Sequence, residues 1–326
     1  MTERATDRRL VLKRLGQAGA LLGASGALAA WGLRSPGRFR TGAAVRTCRD
    51  LRVAEVTGRP PIVAAHGTDP AVMVRAALAG LGGMEHFVSK GDVVLVKPNM
   101  AWDRTPEQGA NTHPDVVAEV VRQCRAAGAR RVLVAENPVH DAERVAERSG
   151  IGAAVRAAGG TLVLPGASGF AWTALGGSVL ASWDVLAVLL QADRLINVPV
   201  VKHHSLSRLT CGFKNHMGLV GGSRGRLHQD IHPALVDLGA AFRPTLTVVD
   251  ATRVMKRNGP TGGRLEDVEA VNAVAAGTDP VACDAWAARQ LGLDPRDVGH
   301  VVLADGRGLG SLAAGAGAVT EVVANG

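Results

Sequence analysis

The sequence has no tyrosine, and aromatic side chains make up only 3% of its 326 residues. Single-stranded nucleic acid is held largely by stacking bases on aromatic rings, so this scarcity argues against such a role. Cysteine is also sparse. Cys48, Cys124, Cys211 and Cys283 are dispersed without a C-x-x-C pair, so neither a ferredoxin-type iron-sulfur cluster nor a structural zinc site is written locally. Cys124 follows Val117, Val120 and Val121 on one helical stripe and reads as buried filler. There is no repeat at solenoid spacing, and the composition is too apolar for a disordered chain. Past Leu33, no apolar run is long enough to span a bilayer.

Charge of one sign is in excess, but not where a nucleic-acid surface would need it. The formal charge is +8, and residues 1–46 hold nine Lys/Arg against Glu3 and Asp7, which leaves the body nearly balanced. Without a basic face to neutralise phosphates, nucleic acid is not an expected partner. The leader itself reads Asp7-Arg8-Arg9-Leu10-Val11-Leu12-Lys13, followed by an uncharged Ala/Gly/Leu stretch from Leu15 to Leu33. Arg8, Arg9, Leu12 and Lys13 match a twin-arginine (Tat) export signal, while Asp7 and Val11 replace its hydroxyl and phenylalanine positions. Ala27-Leu28-Ala29 offers a cleavage site near 29/30. The expectation is export by the Tat translocase to the periplasm, cell envelope or exterior. The alternative is an uncleaved anchor, the chain's one predicted contact with membrane, although five glycines weaken that span.

From residue 51 to 326 no linker or composition break appears, and one domain is expected. β-Branched runs predict strands at Leu51–Val56, Val93–Lys97, Arg131–Glu136, Thr161–Leu164, Arg194–Val198, Thr245–Asp250, Val271–Ala276 and Ala318–Val323. Amphipathic periodicity predicts helices at Pro70–Leu81, Pro114–Ala127, Asp141–Ala158, Trp183–Ala192, Pro233–Phe242 and Pro280–Leu291. Thr112-x-x-Asp115 reads as a capping box, and Asp279-Pro280 as an N-cap with a first-turn proline. The alternation predicts an α/β fold, a mainly parallel sheet with helices on both faces, interrupted by a Gly/His-rich excursion between Gly212 and Gly225.

In such sheets ligands gather beyond the carboxyl ends of the strands. Four predicted strands stop there in polar groups: Lys97-Pro98-Asn99, Glu136-Asn137, Lys202-His203-His204 and Asp250. Any one of these could simply begin a loop, but together they propose a site. The densest segment runs from Lys202 through Lys214, Asn215 and His216 to His228, and five of the ten histidines fall between 203 and 232. In an extended chain Lys202 and His204 share a face and His203 takes the other, so the adjacent histidines do not chelate together. Lysines, Asn215 and glycine amides suit a carboxylate or phosphate; histidines suit a metal, which the sequence does not identify, or proton transfer. A solvated basic loop is the alternative. Leu206, Leu209, Phe213, Met217 and Leu219 interleave with the polar residues and argue that the segment packs. The glycines of 218–225 and 306–310 lack a P-loop or dinucleotide fingerprint. Asp284 falls within the apolar stripe of its helix and so needs a buried partner, structural or functional.

These motifs in this order resemble the family known as domain of unknown function 362. The resemblance is carried by Val94–Asn99, Ala127-Gly128-Ala129 before a strand ending in Glu136, Asp193–Pro199 leading into Lys202 and His204, Leu209–Gly218, Leu227-His228, Val249-Asp250, Gly259-Pro260 and Gly277–Asp284. It implies an α/β domain in which Lys97, Asn99, Lys202, His204, Lys214, Asn215, Asp250 and Asp284 fall in the family's motifs. Some relatives carry a ferredoxin-like iron-sulfur module. The dispersed cysteines here depart from it, and no ferredoxin-type cluster is expected.

Two function classes remain open at this level. One is an exported enzyme on a small anionic substrate, with Lys202, His204, Lys214, Asp250 and Asp284 catalytic and Lys97, Asn99, Glu136, Asn215, His216 and His228 binding. The other is an exported small-ligand or metal-binding protein that uses the same loop without turnover.

Overall fold

Val93-Val94-Leu95-Val96 is apolar at every position, which suits a strand covered on both sides. The computed structural model describes residues 46–324 apart from 55–56, 167 and 318. Arg8, Arg9 and the cleavage site lie outside the described residues. In strand β3 (Val93–Pro98), Val94 and Val96 enter one apolar cluster and Val93 and Leu95 the other. The two-residue period therefore sends Lys97 to the face of Leu95. One face is covered by helices α1 (Pro70–Gly80), α2 (Pro114–Ala126) and α4 (Ile151–Ala157). The other is covered by α6 (Ile231–Phe242), α7 (Pro280–Gln290) and α8 (Gly299–Gly306). Cys124 is buried on the α2 stripe, as expected.

Among the described residues the main sheet has ten strands. Its path runs β13 (Val319–Val323), β2 (Ile62–His66), β12 (Val268–Gly277), β11 (Leu246–Met255), β8 (Arg194–Val198), β3, β4 (Arg131–Ala135) and β5 (Thr161–Val163). β12 runs antiparallel to both β2 and β11, and the other pairs on this path are parallel, so the sheet is mainly parallel with helices on both faces. Pro199 has no amide hydrogen and separates β8 from β9 (Val200–His204), while the ten residues of β11 pair first with β8 and then with β9. β9 thus carries Lys202 and His204 beyond the sheet, where β10 (Arg208–Thr210) turns back on it with Thr210 opposite Lys202. The Gly/His-rich excursion folds into short helical turns, beginning with α5 (Gly212–Asn215) and a 3-10 turn over His216–Leu219.

Several expected elements are corrected. Leu51–Ala54 is loop, and Val56 lies outside the described residues. The helix expected over Trp183–Ala192 is strand β7 (Ser182–Leu186) followed by a 3-10 turn at Leu189–Gln191. β7 pairs antiparallel with β6 (Phe170–Ala174), whose other edge takes β1 (Arg46–Thr47), and this cross-strand partner, absent from any local window, overrides the helical spacing. The helix expected over Asp141–Ala158 is two, α3 (Ala142–Arg148) and α4, because Gly150 turns the chain at φ +74. Thr112 does not form the capping box. His113 is the N-cap of α2, its Nδ1 accepting from the Asp115 amide at 3.2 Å, while the Thr112 hydroxyl donates to the Val198 carbonyl at 2.7 Å. Asp279 does cap α7, accepting from the Ala282 amide at 2.8 Å.

Candidate functional site

Parallel register places Lys97 of β3 opposite Asn197 of β8 at the carboxyl end of the sheet, both facing the side covered by α6. Above them sits α5, whose first amides are gripped by Asp284 of α7: the Gly212 amide donates to Oδ1 at 2.6 Å and the Phe213 amide to Oδ2 at 3.3 Å. Asp284 is fully buried, with His300 Nε2 at 3.5 Å. Asn215, three residues into α5, is the hub of the site. Its Nδ2 donates to the Lys97 carbonyl at 3.0 Å and to Asn197 Oδ1 at 2.8 Å. Its Oδ1 accepts from Lys97 Nζ and from Asn99 Nδ2, each at 3.2 Å. Asn99 Oδ1 accepts in turn from Lys202 Nζ at 3.1 Å, and the same ammonium reaches the Ala110 carbonyl. A continuous chain of hydrogen bonds therefore joins Asp284 to Lys202 through Gly212, Asn197, Asn215 and Asn99.

The carboxylate that answers these lysines is Glu136, not Asp250 or Asp284. Lys97 Nζ donates to Glu136 Oε2 at 2.7 Å, and the Met100 amide donates to the same oxygen at 3.2 Å. Around Glu136 act the charges of Lys97, Lys202, Lys214 and Arg224. Four basic side chains share this one carboxylate, so the cluster is positive even without a proton on Lys202. Burial pushes Lys97 below its usual value against the pull of Glu136, and burial with the Lys214 charge pushes Lys202 well below it. Arg224 is tied down by the carbonyls of Asn137 and Pro138.

At the mouth stand Lys214, His204 and His228. Lys214 is partly buried, and its ammonium has no hydrogen bond or ion pair among the described residues; burial, then the Arg224 charge, brings it down to about 8. His204 Nδ1 accepts from the amides of Leu206 at 3.1 Å and Ser207 at 3.2 Å, and burial holds the ring down to about 3, so it is neutral with its proton on Nε2. His228 lies parallel to it, 5.8 Å between centroids, and is likewise shifted toward the neutral form by burial and the Lys214 charge.

Other residues singled out from the sequence lie apart from this mouth. Asp250 accepts from the His113 amide at 2.7 Å and from the Thr252 amide and hydroxyl at 2.9 and 2.7 Å, so its visible work is holding the entry to α2 against β11. His216 is buried beside Phe242, both ring nitrogens without a partner among the described residues, and burial takes it down to about 3. His203 faces away from Lys202, as the strand alternation requires. Among the described residues no group of three or more His, Cys, Asp or Glu stands together to hold a metal. The four cysteines are free thiols. A cavity of about 700 Å³ opens at the other end of the sheet between Arg52, Arg59, Arg243, Thr278 and Gly310, and none of the residues singled out as functional lines it.

Asn197, Arg224 and Gly218 stand in sequence motifs that assign them no role, and Trp102 stands in none. Asn197 sits inside an apolar strand, where its polarity was the available signal. The Trp102 ring lies 5.9 Å from Lys202 Nζ, in the loop after β3. Gly218 lies where a methyl group would overlap Glu136 Oε1, a contact that no local pattern announces.

The chain is similar to known proteins in three comparisons. A thylakoid-associated protein of Synechocystis sp. is 29% identical over 255 residues, which cover 74% of this chain and 76% of that protein. The lactate racemase apoprotein from Thermoanaerobacterium thermosaccharolyticum superposes with a TM-score of 0.39 at 11% identity over 70% of this chain, which spans 57% of the racemase. The family model described as domain of unknown function (DUF362) matches residues 94–289, more than half of the chain and the whole of the hydrogen-bonded network from Lys97 to Asp284. The chain belongs to the domain of unknown function 362 family.

Proposed function

We propose that the protein is an exported enzyme acting on a small anion, which it binds at the mouth formed by Lys214, His204 and His228. The observation that carries this reading is the charge balance: Lys97, Lys202, Lys214 and Arg224 surround the single carboxylate of Glu136, and the Lys214 ammonium is left without a partner among the described residues. Holding cations out of water costs several kcal/mol each unless an anion compensates, and a ligand carboxylate or phosphate would do so. Lys202, depressed by burial, would serve as a proton acceptor, with Asn99 and the Ala110 carbonyl fixing its amine. Glu136, Asn99 and Asn215 hold the lysines in place. Asp284 positions α5 and so Lys214, and Asp250 fixes the neighbouring loop.

Isothermal titration with inorganic phosphate and small carboxylates tests the binding. Replacing Lys214 by Met is expected to weaken it at least tenfold without lowering the melting temperature. Failure of the parent protein to bind any of them would remove the reading. Uptake of solvent deuterium into a bound acid, followed by proton NMR, separates turnover from carriage. The carrier alternative draws on His204, which is locked neutral by two amides and suits holding more than proton transfer.

Export rests on the Arg8-Arg9 leader, and a thylakoid-associated relative supports a place at or near a membrane. Among the described residues no helix is long and apolar enough to cross one. Replacing Arg8 and Arg9 together by lysine is expected to retain tagged protein in the cytoplasm, because Tat recognition reads the guanidinium pair rather than charge alone. Unchanged export would dismiss the Tat route.

A further inference from the structure

The two histidines at the mouth are not equivalent. His204 Nδ1 accepts from two backbone amides, which donate, so its proton must sit on Nε2. His228 Nδ1 lies 3.1 Å from the carbonyl oxygen of Gly225, which can only accept, so in the neutral ring the proton sits on Nδ1 and Nε2 carries a lone pair. The rings are stacked at 13° with centroids 5.8 Å apart, and the hydrogen bonds that both make among the described residues all use Nδ1, not Nε2. The mouth thus offers two donors, the Lys214 ammonium and the His204 Nε2–H, and one acceptor, the His228 Nε2.

From this arrangement we infer that the site selects an anion bearing a hydroxyl group, one that donates a hydrogen bond to His228 Nε2 while its charged oxygens accept from Lys214 and His204. A hydrogen phosphate or a hydroxy acid satisfies all three groups. A sulfate or a plain carboxylate satisfies the two donors, then presses an oxygen lone pair or an alkyl group against the lone pair of His228. An unpaired polar group in a recognition site discriminates more strongly than a missing apolar contact does. Burial first, then the charges of Lys214 and Arg224, disfavour a second proton on His228 against the pull of the Gly225 carbonyl, and so keep Nε2 in the acceptor form. The inference rests on the anion-binding reading above and adds the chemistry of the substrate to it.

The test is competitive titration of the full chain with two matched pairs, inorganic phosphate against sulfate and glycolate against propionate, at neutral pH. Phosphate and glycolate are expected to bind on the order of tenfold more tightly than their partners, the worth of about one hydrogen bond to a partly buried group. Replacing His228 by Phe keeps a ring over His204 and removes the acceptor, so the preference should vanish. Replacing His228 by Gln returns an amide oxygen and should restore much of it. Long-range proton–nitrogen correlation spectra should show His228 as the Nδ1–H tautomer and His204 as the Nε2–H tautomer. Equal binding of both members of each pair, or a preference that survives in His228→Phe, overturns the inference and leaves anion binding standing. No binding of any of the four anions overturns both.

Discussion

Lys97 Nζ lies 2.7 Å from Glu136 Oε2, and neither side chain reaches solvent. The pair ties the loop end of β3 to that of β4 and brings a carboxylate to the centre of the cationic cluster. Glu136 Oε1 remains without a hydrogen bond among the described residues. A buried ion pair is poor evidence of stability in itself, because desolvation takes back most of the attraction.

Losing the carboxylate should cost more than losing Lys97. Replacing Lys97 by Met leaves Glu136 with Lys202, Lys214, Arg224 and the Met100 amide around it, whereas Glu136→Leu leaves those basic side chains and Lys97 without their carboxylate. Glu136→Leu is therefore expected to lower unfolding free energy by about 3–5 kcal/mol, and Lys97→Met by less. Urea denaturation of both variants checks it. A Glu136→Leu variant no less stable than Lys97→Met would show that the basic side chains are compensated by something other than Glu136.

Gly218 is required by its neighbour rather than by its own backbone. A methyl group there overlaps Glu136 Oε1, whereas a methyl group at Gly225 meets nothing within 4 Å. Gly218→Ala is therefore expected to cost about 1–3 kcal/mol through overpacking, and Gly225→Ala close to nothing. Melting curves of the two variants decide it, since equal effects would remove the steric argument.

Lys214 should make the fold more stable as pH rises through the alkaline range. Its folded value of about 8 lies below its ordinary 10.5, so between them the unfolded chain binds more protons than the folded one. Below pH 8 both states are protonated and the full cost of burial is present. Lys214→Met is expected to exceed the parent in stability by on the order of 2 kcal/mol at pH 7, with the gap narrowing toward pH 10. Parallel denaturation at the two pH values measures it, and a gap that is constant or of opposite sign contradicts the assignment.

His216 works in the acid range by the same arithmetic. Burial takes it from 6.5 to about 3, so the unfolded chain takes up a proton first and stability falls as pH drops between these values. Because both ring nitrogens are buried without partners among the described residues, His216→Met should raise stability at neutral pH by about 1 kcal/mol and flatten the acid slope. A destabilised variant with an unchanged acid slope would mean that the ring finds a hydrogen-bond partner in solution.

The strand ends were legible because their chemistry is local. Four apolar valines and leucines running into Lys97-Pro98-Asn99 mark a strand and its loop whatever lies around them. The same alternation places Lys202 and His204 on one side of β9 and His203 on the other. Helical spacing was enough to put Asp284 inside an apolar stripe, where it is indeed fully buried. The hairpin of β6 and β7 was not legible, since Trp183 and its neighbours satisfy helical spacing until a partner strand is supplied. Asp250 and Asp284 looked alike as strand-end and helix carboxylates, yet one holds the entry to a helix and the other the amides of α5.

The sequence by itself determined most of the element types outside the β6–β7 hairpin, the two-faced burial of the central strands, the polar strand ends and the family. Both helical and strand periods are properties of consecutive residues, and water enforces them without reference to distant chain. Tertiary structure alone decided which charges meet. Lys97 and Asn215 bond across 118 positions, and Lys202 and Asn99 across 103. It also decided where the protons sit, because the tautomer of His228 is set by one carbonyl and that of His204 by two amides, at distances of about 3 Å. Hydrogen bonds lose their strength within a few tenths of an ångström, so their partners are fixed only once the whole sheet and its covering helices have fixed the backbone.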